Sequence, residues 1–211
     1  MNIEEHITKK SNLETGDSIS EFMRHSAQQN FGAFRVFYDF LKEVRPTRIL
    51  EIGTALGGFT ESLKIMCNEL ELDTNIRSYD ISAKPWFPDL IAFGIDIRIE
   101  NIFNFVDGTM HDEVIEYIQQ PGITVVLCDG GNKKFEFNLI SNYIKPGDFI
   151  MGHDYAETKE IFDEKINKKI WNWLELKYSD IKDACERNNL ESYNKETFEN
   201  VVWVNKRKRN E

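Results

Sequence analysis

Cysteine is scarce in this chain and badly spaced for cross-linking. The 211 residues include three, Cys67, Cys128 and Cys185, an odd number at intervals too wide for a disulfide framework or a zinc knuckle. Reduced thiols in a cytoplasmic protein are the expectation. Long apolar runs are missing too. None approaches the roughly 18–20 residues of a membrane-spanning helix, so no membrane association is expected. The opening Met1-Asn2-Ile3-Glu4-Glu5-His6 lacks the basic-then-apolar layout of a secretory signal. Positive charge is also short: Lys and Arg total 26 against 36 Asp and Glu, a net charge of −10. Phosphate contacts need concentrated cations, so a nucleic-acid partner is not expected. The one basic cluster, Lys206-Arg207-Lys208-Arg209, has no interleaved aromatics and reads as a solvated tail.

The chain has ample core material, with 41% apolar residues, fifteen Phe and four Trp. Its centre is Arg48-Ile49-Leu50-Glu51-Ile52-Gly53-Thr54-Ala55-Leu56-Gly57-Gly58-Phe59-Thr60. Ile49, Leu50 and Ile52 supply a short buried strand. Gly53, Gly57 and Gly58 allow a sharp turn that brings backbone N–H groups close to a ligand. Phe59, Leu63, Met66 and Leu70 then fall on one helical stripe.

Before this stretch, residues 1–20 show no sustained period and read as a loosely docked arm. Ile19, Phe22 and Met23 are expected to begin a helix. Phe34, Phe37, Tyr38 and Leu41 mark a helix that Arg45-Pro46 stops. Further strands are expected at Ile76–Ile81, Ile95–Ile99, Ile123–Cys128 and from Phe149, with helices between them. Phe162, Ile166, Ile170, Trp173 and Lys177 predict one long helix, and Ile181 and Cys185 a shorter one. Val201-Val202-Trp203-Val204 predicts a terminal strand. Repeated β-α alternation implies an α/β fold, a doubly wound and mostly parallel sheet with a late antiparallel strand. No repeat, low-complexity tract or Pro, Gly and Ser-rich linker divides the chain. The expected organisation is an N-terminal arm and helix over 1–45, one ligand-binding domain over 46–206 and a basic tail over 207–211.

Ligands of open α/β sheets sit outside the carboxyl ends of the strands. Polar residues gather there: Glu51-x-Gly53, Asp80, Asn101, Asp129 and His153-Asp154 end five successive strands. Asp80, a little over twenty residues beyond the glycine turn, suits the two hydroxyls of a ribose. That geometry fits NAD and S-adenosylmethionine alike. Two features favour the second. Glu51 would repel a pyrophosphate yet suits the cationic amino acid end of S-adenosylmethionine, and no chain remains for a separate substrate domain.

Leu50 to Thr60 resembles the first motif of class I S-adenosylmethionine-dependent methyltransferases. Many of these have a glycine at the place of Ala55; the form without it is similar to the catechol and caffeoyl-CoA O-methyltransferases. It is also similar to the sugar O-methyltransferases of the cephalosporin-hydroxylase-like and macrocin-like groups. The resemblance continues through Asp80, Asp129-Gly130-Gly131 and Lys145 to Tyr155. It implies a Rossmann-like methyltransferase fold and a cofactor site of Glu51, Gly53, Thr54, Ala55, Gly57, Gly58, Thr60, Asp80, Asn101, Ile102 and Asp129, with adenine beside Asn101-Ile102. It implies methylation of a small hydroxylated acceptor, a sugar or glycoside, assisted by a divalent metal, Mg²⁺ or Mn²⁺, at Asp129 and Asp154.

His153 departs from the acidic or amide residue that relatives often show. A neutral imidazole ligates Mn²⁺ better than Mg²⁺, or it serves as a general base. Lys133 follows Asp129 by four, whereas catechol-type relatives place a basic lysine three after the acid, where this chain has Asn132. His153 and Lys133 thus share the role of candidate base, with a solvated helix start as the other reading of Lys133. Phe31, Phe34 and Trp86 read as core rather than substrate wall, and one of Trp171 and Trp173 as a lid. Two readings from other classes stay open: a single-domain NAD(P)-dependent reductase, for which Tyr155 and Lys159 have the spacing but not the place of a Tyr-x-x-x-Lys pair, and a catalytically silent cofactor-binding module. A homo-oligomer through the C-terminal helices also stays open.

Overall fold

The structure, a computed structural model, describes residues 25–210 and, as backbone alone, the strand residues 7–8, 11–12 and 17–22. Seven strands form the central sheet: β1 (Arg48–Ile52), β2 (Asn75–Asp80), β3 (Asp96–Ile99), β4 (Thr124–Cys128), β5 (Phe149–Gly152), β6 (Leu190–Ser192) and β7 (Val204–Lys208). Their order across the sheet is β6-β7-β5-β4-β1-β2-β3. The five from β5 to β3 are parallel, and β7 runs antiparallel to both of its neighbours. β1 and β4 are buried at every residue. Helices cover both of their faces, which is why β4 reads as a nearly continuous apolar run and why even Arg48 and Glu51 of β1 are buried.

The strand alternation divides the core. Ile49, Val125, Leu127, Phe149 and Met151 point to one side, where they meet α1 (Ala33–Val44), α2 (Gly58–Glu69) and α3 (Phe87–Ala92). Leu50, Val126, Cys128 and Ile150 point to the other, against α4 (Asp112–Gln119), α5 (Lys133–Ile140) and α6 (Tyr178–Arg187). α1 ends as its sequence dictates. Arg45 takes a left-handed conformation and donates its N–H to the Leu41 carbonyl, and Pro46 follows. The doubly wound sheet with a late antiparallel strand is therefore present. All three cysteines are buried and unpaired. Among the described residues, no helix is long and apolar enough to cross a membrane.

Three expectations are corrected. Asp17–Phe22, where a helix was expected to begin, is a strand paired antiparallel with His25–Gln28; Met23 lies outside the described residues. The long helix expected after Tyr155 is one short helical segment, Lys159 to Ile166. The chain leaves the helical region at Asn167 and turns left-handed at Lys168. Its Phe162, Ile166 and Ile170 still converge, but with Trp171 on a satellite core around Val202. The terminal strand begins at Val204, not Val201, and takes in Lys206, Arg207 and Lys208. These are not a solvated tail. Lys206 is buried, lies over the Tyr178 ring and donates to Ser192 Oγ, while Arg207 lies over Phe149 and Tyr193. Long aliphatic stems let cationic residues serve as strand residues in this way.

Candidate active site

The carboxyl ends of β1 to β5 open on a cavity of about 680 Å³, in the place where a doubly wound sheet holds its ligand. Glu51, at the end of β1, is buried among hydroxyls. Thr60 Oγ1 donates to its carboxylate at 2.6 Å, Ser78 Oγ donates to the same oxygen, and Thr54 Oγ1 lies 2.7 Å from Ser78 Oγ. Burial pushes the Glu51 carboxyl up to about 7, against the lowering effect of those two hydroxyls. Ser78 and Thr54 shape this acid, and only Thr54 was anticipated. A hydroxyl at Ser78 has no meaning until β2 is placed beside β1.

The glycine turn is organised differently from the expectation. The N–H groups of Gly53 and Thr54 donate to the Tyr79 carbonyl and that of Gly57 to the Thr54 carbonyl, while that of Ala55 donates to Asp80 Oδ2 at 2.9 Å. These four amides already have partners within the protein. Gly53 is required for another reason: its φ is +97°, and a Cβ there would lie 2.3 Å from the Asp129 carbonyl oxygen. Gly58 faces away from the cavity. A Cβ on it would lie 2.4 Å from the His25 carbonyl oxygen, so it admits the His25–Gln28 strand against α2, which the bond between His25 Nδ1 and Glu61 also holds. Thr60 likewise lies behind the wall and acts through Glu51. Asp80, Asn101 and Ile102 line the cavity beside the turn. Trp86 donates from Nε1 to the Ala55 carbonyl and Phe34 is core, whereas Phe31 is partly exposed.

The far end of the cavity gathers Asp129, Lys133, His153 and Asp154. Asp154 has left-handed backbone just beyond the end of β5. There Trp171 Nε1 donates to Oδ1, and Lys133 Nζ lies 2.9 Å from Oδ2. His153, 2% exposed, has Nδ1 3.0 Å from Asp129 Oδ1 and its ring stacked on Trp203. Its Nε2 is buried with no hydrogen-bond partner among the described residues. Burial opposes a charge on His153, but the Asp129 and Asp154 carboxylates outweigh it and raise its pKa. Burial likewise works against the Asp154 anion, and His153 and Lys133 prevail to lower its pKa.

Lys133 is 6% exposed, not a solvated helix start. Its ammonium lies 2.8 Å from Glu175 Oε2, 3.1 Å from the Gly130 carbonyl oxygen and 3.6 Å from Asp129 Oδ1. Burial disfavours the cation, but Asp129 and Asp154 raise its pKa above the ordinary lysine range. A lysine so held stays protonated and accepts no proton near neutrality. Two groups here had no signal in the sequence. Gln29 bridges Trp203 Nε1 and Asp129 Oδ2 at 2.9 Å on each side, and Glu175 arrives from the irregular segment after Trp173. Glu136 was missed as well, although its place one helical turn after Asn132 could have shown it. It accepts from the N–H groups of Gly130 and Asn132 and holds the Asp129 loop, with burial pushing its carboxyl to about 7.

The expected metal donors do come together: one ligand atom from each of Asp129, His153 and Asp154 lies within 4.8 Å of the others. They do not fit a divalent ion as arranged, because a cation is already among them. An ion bound to Asp154 Oδ2 at about 2.1 Å lies within about 5 Å of the ammonium, which is 2.9 Å from that oxygen. At an effective dielectric of about 20, a double and a single positive charge so placed repel by about 7 kcal/mol.

No protein-family model and no curated protein matches the chain. Solved structures do. A CmcI apo structure is 14% identical with a TM-score of 0.61, over 88% of this chain and 74% of its own. A CmcI structure with Mg and SAM is 14% identical with a TM-score of 0.58, over 95% and 81%. A third, with SAH, is 13% identical with a TM-score of 0.52, over 86% and 79%. The likeness is one of fold: the chain shares with these structures a doubly wound, mostly parallel α/β sheet.

Proposed function

We propose that this chain is an S-adenosylmethionine-dependent O-methyltransferase acting on a small hydroxylated acceptor, with a sugar or glycoside as the favoured class. The observation that carries the reading is a single cavity with two differently equipped ends. Glu51, Asp80 and Asn101 line one end, and His153, Lys133 and Trp173 the other. A sheet-end acid beside a ribose-compatible acid suits a cationic nucleoside cofactor, as argued from the sequence, and the CmcI structures with SAM and SAH lend support by their fold.

S-adenosylmethionine supplies an electrophilic methyl group when bound. The protein has to orient the acceptor oxygen, exclude water and take up its proton. Glu51 orients the amino acid end, Asp80 the ribose hydroxyls, and the Asn101-Ile102 segment flanks the adenine. On the acceptor side His153 is the base: Asp129 holds Nδ1, which leaves Nε2 as the proton acceptor. Lys133 stays charged and stabilises negative charge developing on the acceptor oxygen. Trp173, 38% exposed, and Glu175 both line the cavity, and an aromatic face together with a carboxylate suits a ring with apolar C–H faces and hydroxyl edges.

The test is calorimetric titration with S-adenosylhomocysteine, with NADH as the rival. Dissociation in the micromolar range, about −8 kcal/mol, is expected for the first and no binding for the second. Binding of NADH alone overturns the reading. Turnover is then read on a panel of hydroxylated sugars by transfer of labelled methyl. His153→Gln should keep the binding and lose about 10²–10⁴-fold in rate.

A further inference from the structure

We propose that the Lys133 ammonium is the resident cation of this site, standing where a divalent metal would otherwise be held, so that the acceptor end works without metal. The cluster looks like a cation site in composition. Three carboxylates, Asp129, Asp154 and Glu175, and the Gly130 carbonyl all place an oxygen within 3.6 Å of one nitrogen. Oxygen-rich, multiply anionic shells of this kind are what hard divalent cations require. Here the positive charge is covalently attached.

The position of the lysine supports this reading. Lys133 is the first residue of α5, and a cation at a helix N-terminus meets the unfavourable end of the helix dipole. The helix therefore gains nothing from it. Its stem is buried, so solubility does not explain it either. What compensates the burial is the surrounding set of anions, and that set in turn needs a cation. Without Lys133, the Asp129 and Asp154 carboxylates, which have oxygens within 4.8 Å of each other, would have only the His153 ring between them. The two carboxylates come from the ends of β4 and β5, and Glu175 from the segment that closes over them. The ammonium thus ties three elements at the place where an acceptor oxygen would have to sit. Its role in catalysis rests on the methyltransferase reading; its role as the site's cation does not.

The experiment is titration with Mn²⁺, read by electron paramagnetic resonance, on the wild-type chain and on Lys133→Met. Each protein is also titrated with S-adenosylhomocysteine. The wild type should show no saturable Mn²⁺ site up to about 1 mM, the upper end of protein-bound divalent affinities. Lys133→Met, with a neutral stem of similar length, should gain one site that binds Mn²⁺ at least about tenfold more tightly than the wild type. Lys133→Gln, whose amide keeps a link to Glu175, should gain the same site and guards against loss of fold in the Met variant. A saturable Mn²⁺ site in the wild type overturns the proposal. So does the absence of a site in both variants when they remain folded by circular dichroism. Failure of S-adenosylhomocysteine to bind the wild type overturns the methyltransferase reading and leaves the Mn²⁺ comparison readable on its own.

Discussion

Replacing Glu51 by Gln should change how stability depends on pH, in a direction set by the burial of this carboxyl. In the unfolded chain this carboxyl titrates near its ordinary 4.5, and in the folded protein burial holds it at about 7. Below the lower value it is protonated in both states and has no effect. Between the two, the folded protein keeps a proton that the unfolded chain has lost, so stability falls as pH rises. Above about 7 the full loss is in force. The difference between 4.5 and about 7 corresponds to about 3 kcal/mol. The Gln amide carries no charge at any pH, and its oxygen can still accept from Thr60 or Ser78, so this part of the slope disappears. Glu136 has a similar shift but contributes to both proteins and cancels. Urea unfolding of both proteins from about pH 4.5 to pH 8 should show the variant gaining about 3 kcal/mol on the wild type across that range. A difference that stays flat with pH would refute the reasoning. It would mean that the Glu51 carboxylate is ionised and solvated in the folded protein, and that the hydroxyl cage around it is open to water.

Two further substitutions probe the walls of the cavity. Gln29→Leu strands the buried Trp203 indole N–H and removes a donor from Asp129; it should cost about 2–4 kcal/mol in urea unfolding. Gly53→Ala forces a Cβ against the Asp129 carbonyl in a left-handed conformation, whereas a Cβ on Gly131 meets nothing within 4 Å. The first should destabilise by at least about 2 kcal/mol and the second by less than about 0.5 kcal/mol, read as the shift in thermal midpoint.

The parallel half of the fold was legible because its signals are local. β4 is apolar at all but its first position and β1 carries Ile49, Leu50 and Ile52 since both faces are covered, and α1 closes at Arg45-Pro46 through a cap that needs only adjacent residues. The readings that failed depended on distant partners. Phe162, Ile166 and Ile170 have helical spacing, yet it is Val202, some forty residues on, that collects this apolar group outside a continuous helix. Lys206 to Lys208 looks like a tail only while the Tyr178, Phe149 and Tyr193 rings that receive the cationic stems are unplaced. Ile19 and Phe22 pair as strand residues because His25–Gln28 returns beside them.

The site shows the same division, and it alters where recognition resides. The acids at the strand ends were visible because each closes its own strand, and the structure places Glu51, Asp80, Asn101, Asp129, His153 and Asp154 on one cavity. The glycines were visible too, but spacing alone does not say what a glycine is for. Here Gly53 makes room for the Asp129 backbone and Gly58 for the His25 backbone, and four amides of the turn are spent on internal carbonyls and on Asp80. With these four amides engaged, the turn offers a ligand fewer hydrogen bonds than its glycine spacing suggests. Under the proposed function, affinity for a nucleoside cofactor would come chiefly from the side chains of Glu51 and Asp80, and selectivity from their charge. The Ala55 N–H fixes Asp80 Oδ2 before any ligand arrives, and Thr60 and Ser78 fix Glu51. Both acids are oriented in advance, so little conformational freedom remains to be lost when a ligand binds between them.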